Sequence, residues 1–256
     1  MSNILAGKVV VVTGASSGLG RATAIAAARH GAKTVLVADL IDTPREGGES
    51  TLAAVSALGS DAQFVRTDVS KRADVGALLE AARPFGGVDI MVANAGVTAA
   101  SDREDVTEED FDRLIAVNLK GVLFSAQAAA AQMRELGKPG SIVVTGSMGG
   151  INGSALTVGY STTKGGVVLL AKSLADALGP DGIRVNAVCP GVIDTHLLRT
   201  TPGVAEAVEG FRQRTPLRRL GRPEEVGDAI VWLGSDLSSY VTGVSLLVDG
   251  GLLSVI

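Results

Sequence analysis

The chain has 256 residues, of which 46% are hydrophobic and 20% are charged, proportions close to those of soluble globular proteins. These proportions exclude disordered and fibrous architectures, and the length allows either two domains or one large α/β domain. Lys and Arg number 23 and Asp and Glu number 27, which gives a net charge of −4 and makes a nucleic-acid partner unexpected.

The remaining composition argues against membrane and metal sites. No run approaches the roughly 18 apolar residues of a membrane helix, and residues 1–8 lack the features of a signal peptide. We therefore expect a cytoplasmic chain without a membrane partner. One cysteine, Cys189, and two separated histidines, His30 and His196, predict neither a disulfide nor a metal site.

Short runs rich in β-branched and aliphatic residues are predicted as strands. They cover residues 8–13, 34–38, 62–66, 90–93, 141–145, 183–188 and 244–248. Helical stretches separate them, and this alternation is typical of βαβ units. The sequence therefore predicts an α/β class, single-domain Rossmann fold over residues 1–256. Its core is a doubly wound, seven-stranded parallel sheet with helices on both faces.

Two segments interrupt the alternation. Residues 42–48 contain Pro and a Gly pair and are predicted to be an exposed loop after the second strand. Residues 190–215 mix apolar and polar side chains over a length that suits an active-site lid. We expect this second segment to be a substrate-binding loop.

A glycine-rich loop follows the first strand. Gly14, Gly18 and Gly20 stand in the spacing G-x-x-x-G-x-G, just before the helix predicted over residues 19–29. Glycines let the backbone turn tightly and approach a pyrophosphate, and the helix N-terminus offers free N–H groups to that anion. The alternative is an ordinary glycine-rich turn.

Asp39 ends the second strand, about 20 residues beyond the glycine loop, where a carboxylate can accept hydrogen bonds from an adenosine ribose. The alternative is a helix N-cap. No basic residue stands at Ser17 or Leu40. A carboxylate about 4 Å from a 2′-phosphate costs on the order of 4 kcal/mol per charge at an effective dielectric constant near 20. These residues favour NAD over NADP.

Tyr160 and Lys164 share a face of the helix predicted over residues 158–178, because they are four positions apart. Making a phenol a base near neutral pH requires lowering its pKa by roughly three units, or about 4 kcal/mol. An ammonium about 5 Å away supplies on the order of 3 kcal/mol. The alternative is an exposed pair. Ser147 follows a strand and offers a hydroxyl to a substrate oxygen, although such serines are also common in turns.

Further residues in the same order resemble the short-chain dehydrogenase/reductase family, of the compact single-domain type. They are the segment 94–96 (Asn-Ala-Gly), Asn118, Ser147 thirteen residues before Tyr160, and the Pro-Gly pair at 190–191. The resemblance covers nearly the whole chain. Two features depart from it: Ala93 stands where the family often has asparagine, and the loop at residues 42–48 is slightly long.

The resemblance implies a catalytic tetrad. Tyr160 is the acid and base, and Lys164 lowers its pKa and holds the nicotinamide ribose. Ser147 orients the substrate oxygen, and Asn118 supports a water-mediated proton path. The alternative is that the segments 94–96 and 190–191 only shape turns and that Asn118 only caps backbone groups.

The resemblance, together with the motifs above, also assigns the binding residues. Asp68 and Val69 are expected at the adenine, and Ile193 and Thr195 at the nicotinamide. The expected cofactor site as a whole comprises Gly14, Ser16, Ser17, Gly18, Leu19, Gly20, Asp39, Leu40, Asp68, Val69, Asn94, Ala95, Gly96, Tyr160, Lys164, Pro190, Gly191, Ile193 and Thr195. The expected substrate pocket comprises Ser147, Gly149, Ile151, Asn152, Leu156, Tyr160, His196 and Phe211.

These residues predict reversible hydride transfer between NAD and a secondary alcohol or ketone, with no metal. A 3-oxoacyl-thioester (acyl carrier protein) reductase is an alternative, but NADPH usually serves that reaction and Asp39 disfavours it. A non-catalytic NAD-binding regulator is another. The substrate stays open among small cyclic, aryl or aliphatic alcohols, sugars and steroids.

Two apolar surfaces predict a homotetramer with 222 symmetry. One combines the small side chains of residues 125–133 with residues 167–171, and the other is the apolar tail of residues 252–256. Pairing each surface with its two-fold mate would remove it from water. The alternative is that both pack within one subunit.

Overall fold

The computed structural model describes residues 3–99, 103–201, 203–204 and 206–255. In that part of the chain seven parallel strands form one sheet in the order β3-β2-β1-β4-β5-β6-β7, which confirms the predicted fold. The strands are β1 Val9–Thr13, β2 Thr34–Asp39, β3 Asp61–Arg66, β4 Ile90–Ala93, β5 Gly140–Thr145, β6 Ile183–Pro190 and β7 Ser245–Val248.

Helices connect the strands. A π-helical segment, Ile115–Lys120, joins the helix that ends at Leu114 to the helix that begins at Gly121. The helix predicted over residues 158–178 has those bounds in the structure. The helices are α1 Gly18–Arg29, α2 Thr51–Ala57, α3 Arg72–Ala82, α4 Glu108–Leu114, α5 Gly121–Glu135, α6 Gly149–Asn152, α7 Val158–Leu178, α8 His196–Thr200, α9 Val208–Arg214 and α10 Pro223–Gly234.

The sheet has a hydrophobic core on each face. Val9 and Val11 of β1 lie in one core, with side chains of α3, α5 and α7. Val10 and Val12 lie in the other, with side chains of α1 and α10. Because helices cover both faces, every position of the strand is buried, which is why the strand is a continuous β-branched run.

The described residues contain one helical segment, Glu108–Glu135, that is long and apolar enough to cross a membrane by length and composition. It includes α4, the π-helical segment and α5. Val122, Ala126 and Met133 of this segment are buried in the core against the sheet. Packing on the sheet therefore accounts for its apolar character.

The carboxyl-terminal tail differs from the prediction. Leu252 is fully buried, so the expectation that residues 252–256 protrude is wrong for this residue. The Asp249 carboxylate accepts hydrogen bonds from the N–H groups of Gly251 and Leu253 and folds the tail into a short 3₁₀ turn. Val255 is exposed, and residue 256 lies outside the described part of the chain.

The strand order reverses between β1 and β4. The connections after these neighbouring strands run in opposite directions, and this opens a crevice at their carboxyl ends. Open α/β sheets bind their ligands at such a point. The predicted site residues follow β1, β2, β4, β5 and β6, so the fold collects them at one edge of the sheet.

Candidate active site

The glycine loop after β1 lies in this crevice, in close contact with the end of β4. Gly14 has φ of +65°, and a Cβ there would lie 2.8 Å from Ala95 Cα. At Gly20 a Cβ would collide with the carbonyl oxygen of Gly14 and lie 2.7 Å from Asn94 Nδ2. These positions need glycine because backbone segments meet there. The loop is therefore more than a flexible turn.

A cleft of about 390 Å³ runs along the carboxyl edge of the sheet. It brings together most of the residues that we predicted at a cofactor. Its lining includes Gly14, Ser17, Gly18, Leu19, Asp39, Leu40, Asp68, Val69, Asn94, Ala95, Gly96, Tyr160, Lys164 and Thr195. Ser16 and Gly20 lie outside this lining: Ser16 is buried and its hydroxyl donates to the Ile41 carbonyl over 2.6 Å.

Asp39 holds the loop after β1 from the end of β2. Its Oδ2 accepts a hydrogen bond from Ser16 N at 3.0 Å, and its Oδ1 accepts one from Leu40 N at 2.8 Å. The next helix, α2, begins after Ser50, whose side chain caps it. Asp39 is therefore not a helix cap, and its carboxylate borders the cleft with acceptor capacity left for a ligand.

Asp68 and Val69 line the cleft after β3. The Ser70 hydroxyl donates a 2.6 Å hydrogen bond to the Asp68 carboxylate and holds the pKa of Asp68 below its ordinary value. Val69 packs against Gly121, where a Cβ would lie 2.7 Å from the valine side chain. This contact fixes the loop to the start of α5.

Tyr160 and Lys164 lie on α7 with the Lys164 Nζ atom 5.6 Å from the centre of the Tyr160 ring. Lys164 is buried and donates a 2.7 Å hydrogen bond to the Thr145 carbonyl at the end of β5. Burial lowers the pKa of Lys164 to about 8. The alternative of an exposed surface pair is therefore wrong for Lys164.

Asn118 lies in the π-helical segment and is fully buried. Its Oδ1 accepts from Val97 N at 2.8 Å, and its Nδ2 donates to the Val97 carbonyl at 2.9 Å and to Thr163 Oγ1 at 3.4 Å. The amide thus ties the loop after β4 to α7, next to Lys164. Its predicted role in a proton path stays a prediction.

A second, smaller cavity of about 160 Å³ adjoins the cleft. Tyr160, Thr145 and Thr195 line both spaces. Ser147 lines the smaller cavity, and its hydroxyl accepts a 3.1 Å hydrogen bond from Gly149 N. The Tyr160 side chain therefore stands where a molecule in the cleft and one in the cavity would meet.

The predicted substrate residues separate into three groups. Ser147, Gly149, Tyr160 and Phe211 line the smaller cavity, as do Pro190, Gly191 and Ile193, which we predicted at the cofactor. His196 lines the larger cleft instead. Among the described residues, Ile151, Asn152 and Leu156 line neither space. Ile151 and Asn152 are exposed on the short helix α6, and their place at a substrate stays a prediction.

The sequence analysis missed several residues that border the cleft, among them Arg45, Glu46 and Arg113. Leu198 and Val204 border the smaller cavity and belong to the expected substrate-binding loop at residues 190–215. Arg45 and Glu46 belong to the loop that we predicted only as exposed. Nothing in the local pattern signals that this loop folds back over the glycine loop, because the contact joins segments 28 positions apart.

Comparisons with known proteins agree with this geometry. A family model described as enoyl-(acyl carrier protein) reductase matches residues 14–253. The L-rhamnose 1-dehydrogenase (NAD(P)(+)) of Azotobacter vinelandii is 42% identical over 251 residues, covering 97% of this chain and 98% of that protein. The cis-4-hydroxycyclohexanecarboxylate dehydrogenase of Sinomonas cyclohexanicum is 41% identical over 259 residues, covering 100% of both.

A solved structure of a short-chain type dehydrogenase/reductase from Mycobacterium marinum is also similar, with a TM-score of 0.89 and 37% identity. The match covers 97% of this chain and 96% of that one. The chain belongs to the short-chain dehydrogenase/reductase family, as its motifs predicted. It is accordingly an oxidoreductase.

Proposed function

We propose that this chain transfers hydride reversibly between NAD and a secondary alcohol or ketone. The observation that carries the proposal is the position of Tyr160, which borders both the cleft and the smaller cavity and has Lys164 beside it. A proton carrier at the junction of two binding spaces suits a reaction between two bound molecules.

The cleft fits a nicotinamide dinucleotide. Gly14 and Gly18 line it around the start of α1, where a pyrophosphate can approach the backbone, and Asp39 offers carboxylate oxygens to ribose hydroxyls. The bound cofactor would supply hydride exchange with a substrate carbon. The Azotobacter relative is named for NAD(P)(+), which supports a cofactor of this class. We infer that the cofactor is NAD and not NADP, because the Asp39 carboxylate would repel the 2′-phosphate of NADP.

Tyr160 and the side chains around it account for the transfer of the proton. Its phenolate accepts the substrate hydroxyl proton during oxidation and returns it during reduction. The Lys164 ammonium favours the phenolate, and Ser147 can donate a hydrogen bond to the substrate oxygen. Asn118 holds the loop after β4 against α7 and so fixes the place of Lys164.

For the substrate, we propose a compact carbon ring with few polar groups. The wall of the smaller cavity is mostly apolar surface, with Leu198, Val204 and Phe211 supplied by the proposed substrate loop at residues 190–215. A sugar carries a hydroxyl on nearly every ring carbon, and each would need a partner once it is buried. The name of the Sinomonas relative, which specifies a hydroxylated cyclohexane acid, supports this class.

NADH formation over a panel of alcohols tests the proposal. We expect kcat/KM for cyclohexanols to exceed that for L-rhamnose and other sugars by at least tenfold, since unpaired hydroxyls are costly in an apolar cavity. Faster oxidation of the sugars would contradict the substrate class. Turnover of only a 3-oxoacyl thioester with NADPH, or NAD binding without any turnover, would favour one of the two alternative functions.

The rate of alcohol oxidation should rise with pH. Oxidation needs deprotonated Tyr160, and the nearby Lys164 ammonium favours that form, so we expect an apparent pKa well below the roughly 10 of a free phenol. Burial lowers the pKa of Lys164 to about 8, so this lysine is mostly charged below that pH and supports the phenolate there. The measurement is kcat at saturating NAD.

Lys164→Met serves as the comparison for this profile, because it removes the ammonium and keeps a side chain of similar length. Its rising limb should lie at higher pH than that of the wild type. A wild-type profile that is flat between about pH 6 and 9, with chemistry rate-limiting, would contradict the proposed role of the pair.

We also propose a homotetramer with 222 symmetry. Val167 and Ala171 are buried within the subunit, but Leu169 on the same helix is 64% exposed. In the carboxyl-terminal tail Val255 is exposed, whereas Leu252 is buried. Exposed apolar side chains in two places fit two different two-fold contacts. Light scattering with size exclusion should give the mass of four chains at micromolar concentration, and the mass of one chain would contradict the proposal.

A further inference from the structure

The loop after β2 lies across the glycine loop and makes three hydrogen bonds to it, one of them the bond from Ser16 Oγ to the Ile41 carbonyl. The Glu46 carboxylate accepts a 2.6 Å hydrogen bond from the N–H of Gly18, the first residue of α1. The Arg45 N–H donates a 2.7 Å hydrogen bond to Ser17 Oγ. In the described structure the Ser17 side chain caps no N–H group of α1. Glu46 therefore supplies the anion at the start of this helix.

The Glu46 side chain lines the cleft beside Gly18. A Cβ on Gly18 would be 3.9 Å from Glu46 Oε1 and 3.7 Å from Thr195 Cγ2. The carboxylate thus lies beside the gap between the glycine loop and Thr195. Asp39 ends β2, and Lys164, beside Tyr160, is hydrogen-bonded to the end of β5; β1 with its glycine loop lies between these strands in the sheet. A dinucleotide that reaches both Asp39 and Tyr160 must pass its pyrophosphate through the gap.

A carboxylate and a pyrophosphate cannot both occupy this position. One N–H group of Gly18 serves one acceptor, and two anions a few ångströms apart repel each other. The loop has room to withdraw, because Glu46 is exposed and is followed by Gly47 and Gly48, which have positive φ angles and open space around them. Binding of a dinucleotide therefore requires Glu46 to leave Gly18.

We propose that Glu46 sets the affinity of the cofactor site by competing with the pyrophosphate for the N-terminus of α1. The inference rests on the proposed function insofar as the ligand is a dinucleotide. The observed affinity is then reduced by the fraction of molecules in which Glu46 occupies the site. Removing the carboxylate should tighten the binding of ligands that contain a pyrophosphate, and should not change the binding of adenosine, which contains none.

Calorimetry with ADP-ribose tests this on the full chain. We expect the Kd of Glu46→Ala to be about fivefold lower than that of the wild type, the effect of one hydrogen bond to a competing group. Glu46→Gln removes the charge but keeps an acceptor, so its Kd should lie between the two. Adenosine, measured by displacement of NADH fluorescence, should bind both variants and the wild type equally.

Glu49→Gln is the matched control. Glu49 lies in the same loop and carries the same charge, but makes no hydrogen bond or ion pair to another described residue. Its Kd for ADP-ribose should stay within about twofold of the wild type. The proposed competition is overturned if Glu46→Ala and Glu46→Gln bind ADP-ribose no more tightly than the wild type. It is also overturned if their affinity for adenosine rises as much as their affinity for ADP-ribose. A wild-type chain that binds neither ADP-ribose nor NAD would instead overturn the proposed function.

Discussion

Tyr160→Phe is expected to lower kcat for alcohol oxidation by roughly 10³-fold or more, while the Kd for NAD stays within about threefold of the wild type. The ring remains at the junction of the cleft and the smaller cavity, so the packing around it is kept. Only the group that carries the proton is lost. Steady-state kinetics and NAD titration of the same preparation separate the two effects.

The chain supplies a matched control for this substitution. Tyr240 is its only other tyrosine and is fully exposed. Tyr240→Phe removes the same hydroxyl group far from the two cavities and should leave kcat unchanged. A Tyr160→Phe variant that retains activity within tenfold of the wild type would remove this tyrosine from the proposed role.

The second large effect concerns cofactor choice. Asp39→Asn is expected to lower the ratio of kcat/KM for NAD to that for NADP by on the order of a hundredfold. The substitution removes the charge that would face a 2′-phosphate. An asparagine oxygen can still accept a hydrogen bond from Ser16 N or Leu40 N, so the loop geometry is largely kept.

Asp61→Asn makes the same chemical change at the opposite edge of the sheet, at the exposed start of β3, and should leave the ratio unchanged. Arg45 lines the same cleft as Asp39, and a guanidinium there can attract a 2′-phosphate, so the wild-type preference has to be measured as well. A wild-type enzyme that prefers NADP, or a ratio that does not respond to Asp39→Asn, would show that Asp39 does not decide cofactor choice.

The sequence predicted the parts of this protein that depend on neighbouring residues. Continuous β-branched runs gave the seven strands to within two residues at either end, because a strand buried on both faces needs apolar side chains at every position. The four-residue spacing of Tyr160 and Lys164 predicted a shared helix face, and the glycine spacing predicted the backbone contact of Gly14. Helix and turn geometry fix such relations locally.

The tertiary structure alone decided which distant segments meet. The burial of Lys164 depends on β5, which supplies the Thr145 carbonyl, and the partners of the Asn118 amide come from a loop and from α7. Leu252 is buried although it belongs to an apolar tail, and Ile151 is exposed although it follows the predicted active-site strand. The docking of Glu46 on Gly18 has no local signal either. In each case the outcome depends on side-chain direction and on packing between elements far apart in the chain, which spacing along the sequence does not encode.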